Sequence, residues 1–108
     1  MDRGNQLLKG ALDMCLLSLI AESPTYGYEM IRRLEERGLR MVSEGSIYPR
    51  LAHFEAHGWV ATSKKVSSDG PVRKYYQLTA SGRRHVVGLV SDWQEFANAV
   101  ELIVKEVR

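Results

Sequence analysis

The chain has 108 residues, 44% of them hydrophobic, with 15 Lys and Arg against 13 Asp and Glu; that length gives one domain with a modest core, and a charged share of 26% without low-complexity runs excludes a disordered chain. The longest apolar stretch, Met14 to Ala21, contains Ser18 and is far too short to span a bilayer. No basic-then-apolar leader precedes it, and the single Cys15 allows no internal disulfide, so a cytoplasmic location is expected.

Net charge is +2, and the excess lies in residues 43–78: Arg50, Lys64, Lys65, Arg73 and Lys74 against Glu44, Glu55 and Asp69. A basic patch on a neutral body points to a polyanion; chance alone could also leave an imbalance this small. Asn5 to Ala21 is predicted as a helix apolar on most sides, Leu8 and Leu12 included. Such a helix needs cover from more than one direction, and a second subunit would supply it. "ESPT" breaks it at Pro24. Thr25 can cap the next helix, whose inner face is Gly27, Met30, Ile31 and Leu34 and which Gly38 ends. Arg32, Arg33, Glu35, Glu36 and Arg37 read as its solvated side.

"SEGSIYPRLAHFEAHGWV" follows, Ser43 to Val60. Ser43 or Ser46 can cap this third helix. With Ser46 as cap, Pro49 is the third helical residue, where a missing N–H costs little. Ile47, Leu51 and Phe54 turn inward, which sends Ser46, Arg50, His53 and His57 outward. Gly58 permits the left-handed cap, and Trp59 is placed to seal the core behind the helix. "WVATSKKV" and "VRKYYQLT" have strand composition, and Asp69-Gly70 between them is a hairpin signal. Strand alternation sends Lys64 and Lys65 to opposite faces, and likewise Tyr75 and Tyr76, at least one of which is assigned to the core. Thr79 is the predicted cap of a last helix that could reach the end of the chain, roughly 45 Å at 1.5 Å per residue. Val86, Leu89, Trp93, Phe96, Val100, Ile103 and Val107 step by 3 and 4, a heptad seam.

Three helices, a two-stranded hairpin and a long helix make a mainly α fold, a winged helix-turn-helix whose third helix enters the major groove of DNA. Arg50 could donate two hydrogen bonds to a guanine edge or hold a phosphate. Lys64, Lys65, Arg73 and Lys74 flank the wing tip and suit phosphates. His53 and His57 have a metal-compatible spacing but no third ligand nearby, so no metal and no cofactor is expected. No catalytic motif is present, and the chain does not read as an enzyme. Trp93 is too bulky for a tight two-stranded seam. Paired tryptophans there either stack or splay the helices around space for a flat apolar ligand.

"LLKGALDMCLLSLIAESPTYGYEMIRRLEER", "SEGSIYPRLAHFEAHGWV" and "GPVRKYYQLTASGRR" together resemble the PadR-type transcriptional regulators, over about Leu7 to Arg84. That resemblance implies a dimeric DNA-binding repressor. It points to Tyr26, Ser46, Tyr48 and Arg50, with Lys64, Lys65 and Lys74 about the wing, as DNA-binding residues; His53 joins them from the outward face. One helix after the wing is similar to the short subgroup, some members of which bind drug-like aromatic molecules at the dimer interface. The phenolic-acid response of longer members does not carry over, because their multi-helix C-terminal domain has no counterpart here. The expectation is therefore a winged helix-turn-helix over residues 1–78 and a dimerisation helix over 79–108. Double-stranded DNA, a second copy and a small planar aromatic ligand are the partners, with no membrane. Leu8, Leu12, Leu89, Val90, Trp93, Phe96, Val100 and Ile103 are expected at the dimer and ligand interface. The rival readings are a winged-helix protein-interaction module and a constitutive repressor without a ligand.

Overall fold

The structure, a computed structural model, describes residues 11–40 and 42–108. The start of the first predicted helix, including Leu8, lies outside the described residues. Helix α1 is Leu12–Glu22, α2 is Gly27–Glu36 and α3 is Glu44–Ala56; strands β1 (Val60–Val66) and β2 (Val72–Leu78) precede helix α4, Ala80–Val104. The chain is mainly α with one antiparallel hairpin, the winged helix-turn-helix expected.

Helix α1 is the hub. Leu16, Leu17, Leu19 and Ile20 are buried, and the helix meets α2, β2 and α4. Much of the cover expected from a second subunit is thus supplied by the chain itself. Met30 and Leu34 of α2, Ile47, Leu51 and Phe54 of α3, Tyr76 of β2 and Val86 of α4 close the same core.

Two glycines end helices as their positions suggest. Gly38 has φ +99° and Gly58 φ +72°, left-handed values that cost a residue without a Cβ little. After each, the chain folds back on the last turn: Leu39 N–H donates to Leu34 O at 2.9 Å, and Trp59 N–H to Phe54 O at 3.0 Å. The apolar contact usual to such an ending is present at α3, with the Phe54 and Trp59 rings 6.2 Å apart.

Three local expectations are corrected. Thr25 is not the cap of α2, since Tyr26 holds that position. Thr25 instead pairs with Tyr76, donating to its carbonyl at 3.1 Å and accepting from its N–H at 2.8 Å. Its hydroxyl donates to Glu29. Ser43, not Ser46, is the N-cap of α3, so Pro49 is the sixth helical residue and lies in the second turn. It offers no N–H to the Gly45 carbonyl one turn back, a hydrogen bond the helix forgoes. The last helix stops at Val104, about 37 Å of helix for 25 residues. The long axis of the molecule is 51 Å.

Thr79 does cap α4: its hydroxyl oxygen accepts from Gly82 N–H at 3.0 Å. The same hydroxyl donates to Gly58 O at 2.7 Å, Ser81 donates to that carbonyl at 3.0 Å, and Thr79 N–H donates to Trp59 O at 3.0 Å. One short segment therefore ties the end of α3, the start of β1 and the start of α4.

Candidate nucleic-acid interface

Hairpin register decides which wing residues share a face. Lys64 lies opposite Lys74 and Lys65 opposite Arg73, and directly opposed residues point the same way. Lys64, Lys74 and Tyr76 thus form one side, and Lys65, Arg73 and Tyr75 the other. Both tyrosines are buried, so each side is closed near the base of the hairpin and solvated towards its tip.

The second side carries a latch. Asp69 at the wing tip accepts from the Ser67 hydroxyl, from Arg73 Nη2 at 2.8 Å and from the Tyr26 hydroxyl at 3.2 Å. Arg73 also lies over the rings of Tyr26 and Tyr28, 5.3 and 5.8 Å from their centroids. Tyr26 meets Tyr75 edge-on at 5.2 Å. Only 2% of Tyr26 is exposed. In this structure the Tyr26 ring, expected from the resemblance to meet DNA, is enclosed beneath the wing with its hydroxyl committed to Asp69. Hydrogen bonds from Ser67 and Arg73 lower the Asp69 carboxyl from 3.8 to about 2. The lowered value defines a pH window. The latch contributes stability above the ordinary carboxyl value, and that contribution is lost as pH falls through about 2. Melting curves between pH 4 and pH 2 should show the wild type losing stability more steeply than Asp69→Asn. Equal slopes would remove the latch from the account.

On α3 the expected inner row, Ile47, Leu51 and Phe54, is buried. The outward row holds in part: Ser46 and His57 are exposed, whereas Arg50 and His53 are half-buried. Ser46 is exposed, with its Oγ 3.1 Å from that of Ser43. Arg50, expected to face outward, is half-buried and donates through Nε and Nη2 to Asp13 of α1 at 2.8 and 2.7 Å. His53 is half-buried and turns towards the Trp59 indole at 5.7 Å. His57 stacks on Trp59 at 4.5 Å, and His85 of α4 stacks on Trp59 at 3.7 Å. Arg50 is thus flanked by α1, and His53 and His57 by this aromatic stack, on the side of the helix. The exposed residues of α3 are Glu44, Gly45, Ser46, Tyr48, Pro49, Ala52, Glu55 and Ala56.

Tyr48 is the largest side chain on that surface, 44% exposed. Burial of part of its ring, with Glu44 nearby, raises the phenol above its ordinary value, so it is a neutral hydrogen-bond donor at neutral pH. Lys64 forms no ion pair among the described residues, while Lys65 covers the Tyr75 ring at 4.3 Å. Lys74 pairs with Glu55 at 3.2 Å and lies over Tyr76; the Glu55 carboxylate raises its pKa.

From sequence Arg32 was read only as part of the solvated side of α2, and neither it nor Tyr28 was assigned to the interface. Both are exposed on α2, with the Arg32 guanidinium 5.9 Å from the Tyr28 ring centroid. Their spacing of four was the available signal, but solvated helix faces carry such pairs routinely. Asp69 was read only as turn chemistry.

At the other end, Leu12, Leu89 and Val90, expected at the dimer and ligand interface, are partly buried against the chain's own core. Trp93, Phe96, Val100 and Ile103 remain exposed. A groove of about 360 Å³ between α1 and α4 is lined by Ser18, Ala21, Val86, Val87, Val90, Ser91 and Gln94. Among the described residues there is no cluster of three or more metal-type ligands, and no helix is long and apolar enough to cross a membrane.

Known proteins share this arrangement. Residues 16–87 match the Transcriptional regulator PadR-like family. A PadR-like transcriptional regulator from Bacillus cereus has a similar structure, with a TM-score of 0.84 at 36% identity over 92% of this chain and 96% of that one. A Streptococcus transcriptional regulator gives 0.81 at 38% identity over 91% and 96%. A transcriptional regulator of Mycobacterium tuberculosis is 29% identical over 99 residues, 92% of this chain and 84% of its own length. With a family match over more than half its length and the winged-helix architecture throughout, the chain belongs to the PadR-like family of transcriptional regulators.

Proposed function

We propose that the protein is a cytoplasmic homodimeric repressor that binds an inverted-repeat operator, with α3 in the major groove and the hairpin against the backbone. The observation that carries this reading is the exposed surface of α3 beside a wing with an unpaired lysine. Tyr48 and Ser46 are solvent-facing donors on α3, and Lys64 lies on the adjoining hairpin without an ion pair among the described residues. Arg50 and Lys74 contribute only by exchanging Asp13 and Glu55 for phosphate, or by using their remaining N–H groups. In a two-fold dimer the two α3 helices enter successive major grooves, roughly 34 Å apart. The segment 79–108 is the dimerisation element, with α1 beside it.

Selection of genomic fragments by the purified protein tests the reading and yields the operator. Affinity for the selected duplex should fall steeply with salt, because several phosphates are neutralised. Lys64 and Lys65 point to opposite faces of the hairpin, so at most one per subunit meets a phosphate. Lys64→Ala/Lys65→Ala should therefore reduce the slope of log K against log salt by about two for a dimer, not four. An unchanged slope removes these lysines from the interface. Failure to enrich any duplex, together with capture of a protein partner insensitive to salt, favours the protein-interaction module instead.

A second element of the proposal is a planar aromatic ligand at the interface. The apolar groove between α1 and α4 and the neighbouring exposed Trp93 and Phe96, with centroids 6.3 Å apart, favour it. Such a ligand acts by preferring the arrangement in which the two α3 helices do not fit the operator. Titration with planar aromatic dyes, following the tryptophan emission lost in Trp93→Ala, tests this. Without quenching or release of DNA the repressor is constitutive.

A further inference from the structure

Gly27 has no backbone reason to be glycine. It is the first residue of α2 and is buried, and its φ is not among the positive glycine values. Glycine is the weakest helix former after proline, so its presence in α2 is locally unfavourable. Space explains it. A Cβ at Gly27 would lie 2.7 Å from Tyr48 Oη and 2.8 Å from both Cε1 and Cζ of that ring. The Tyr48 ring occupies the volume that any side chain at position 27 would need.

We infer that Gly27 is a positioning residue: its bare Cα seats the Tyr48 phenol across the start of α2 and so fixes where that hydroxyl meets DNA. The inference rests on the DNA-binding reading above and assigns the placement of its main exposed donor. Helix α2 of a helix-turn-helix crosses the backbone while α3 enters the groove, so a phenol held at their junction has one defined position. The three close atoms all belong to the far end of a side chain that is partly exposed. An added methyl group therefore displaces the ring, and no backbone has to move.

This separates a positioning role from a structural one. Gly27→Ala should fold with an unchanged or higher melting temperature, since alanine suits the helix better. Its operator affinity should drop about tenfold or more, the loss of a hydrogen bond to a charged group. The slope of log K against log salt should not change, because a neutral phenol releases no counterion. Tyr48→Ala should lose a similar factor, and adding Gly27→Ala to it should lose nothing further. In the free protein, the Tyr48 ring resonances, assigned by their absence in Tyr48→Phe, should shift in Gly27→Ala.

An unshifted ring overturns the inference whatever the DNA result. Wild-type affinity in Gly27→Ala, or losses that multiply in the double variant, also overturns it. If the ring shifts but the wild type binds no duplex, the DNA-binding reading fails while the Gly27–Tyr48 contact stands; in that outcome the positioning role towards DNA is overturned with it.

Discussion

Gly82→Ala should destabilise the fold by about 3 kcal/mol, the upper end of the usual range for forcing a group into a packed site. Gly82 lies in the first turn of α4, where the helix crosses the start of β1. A Cβ there would lie 2.0 Å from the Trp59 carbonyl oxygen, 2.8 Å from its carbon and 2.9 Å from Leu78 Cδ1. The first two are backbone atoms. They cannot yield by rotation, because Thr79 N–H is bonded to that same Trp59 carbonyl and the Thr79 and Ser81 hydroxyls hold Gly58 beside it. The methyl group must push α4 off the hairpin or break its cap. Alanine's better helix propensity, about 1 kcal/mol, is too small to offset this. Urea denaturation at one fixed protein concentration measures the effect. A midpoint equal to that of the wild type would mean that α4 is not docked on Trp59 as described. Gly27 makes the opposite case, since there the added methyl group meets only a mobile ring tip.

The contrast between these glycines bears on what could be read from sequence. Neither glycine ends a helix or turns a hairpin: Gly27 was legible only as part of the inner face of α2, where it is buried, and Gly82 carried no local signal. The glycines that did, Gly38 and Gly58, were legible because a left-handed cap is a property of a few consecutive residues. The same holds for Ile47, Leu51 and Phe54, whose spacing reports the inner face of α3, and for Asp69-Gly70 at the hairpin. What escaped is the identity of distant partners. Tyr26 was assigned to DNA from a motif, yet its hydroxyl bonds to Asp69, 43 residues along the chain. Arg50 was read as an outward donor to a guanine edge or a phosphate, yet it bonds to Asp13, 37 residues back. Periodicity gives the direction of a side chain to within one flank of a helix, and on α3 that flank is where α1 and the Trp59 stack lie. The place of Pro49 in the helix was left open for a different reason. Two serines three residues apart both suit an N-cap, and only the backbone chooses between them.

Phe96→Glu with Ile103→Glu should convert the proposed dimer to a monomer at micromolar concentration. The heptad that begins at Val86 serves two partners in succession. Val86 is buried and Leu89 half-buried in the chain's own core, whereas Trp93, Phe96, Val100 and Ile103 are 46%, 62%, 37% and 76% exposed. No element of the described chain covers these later positions, yet they continue the same stripe. Burying one such side chain is worth about 1.5–3 kcal/mol, and two-fold symmetry counts each residue twice. Four positions per subunit can therefore meet the roughly 8 kcal/mol of a micromolar dimer after the loss of free tumbling. A glutamate at Phe96 or Ile103 removes that burial and brings like charges together across the axis. Sedimentation equilibrium distinguishes the outcomes. A wild type already monomeric sinks the seam, and a double variant that remains dimeric moves the interface elsewhere, α1 being the next surface to test. The consequence for DNA follows from linkage. Two heads on one scaffold bind the second half-site at an effective concentration set by their tether, a gain of about 10²–10⁴ over separate heads. The charged variant should lose a factor of that order on the full operator while keeping its affinity for an isolated half-site, because α3 and the wing lie in the part of the fold whose core does not include Phe96 or Ile103.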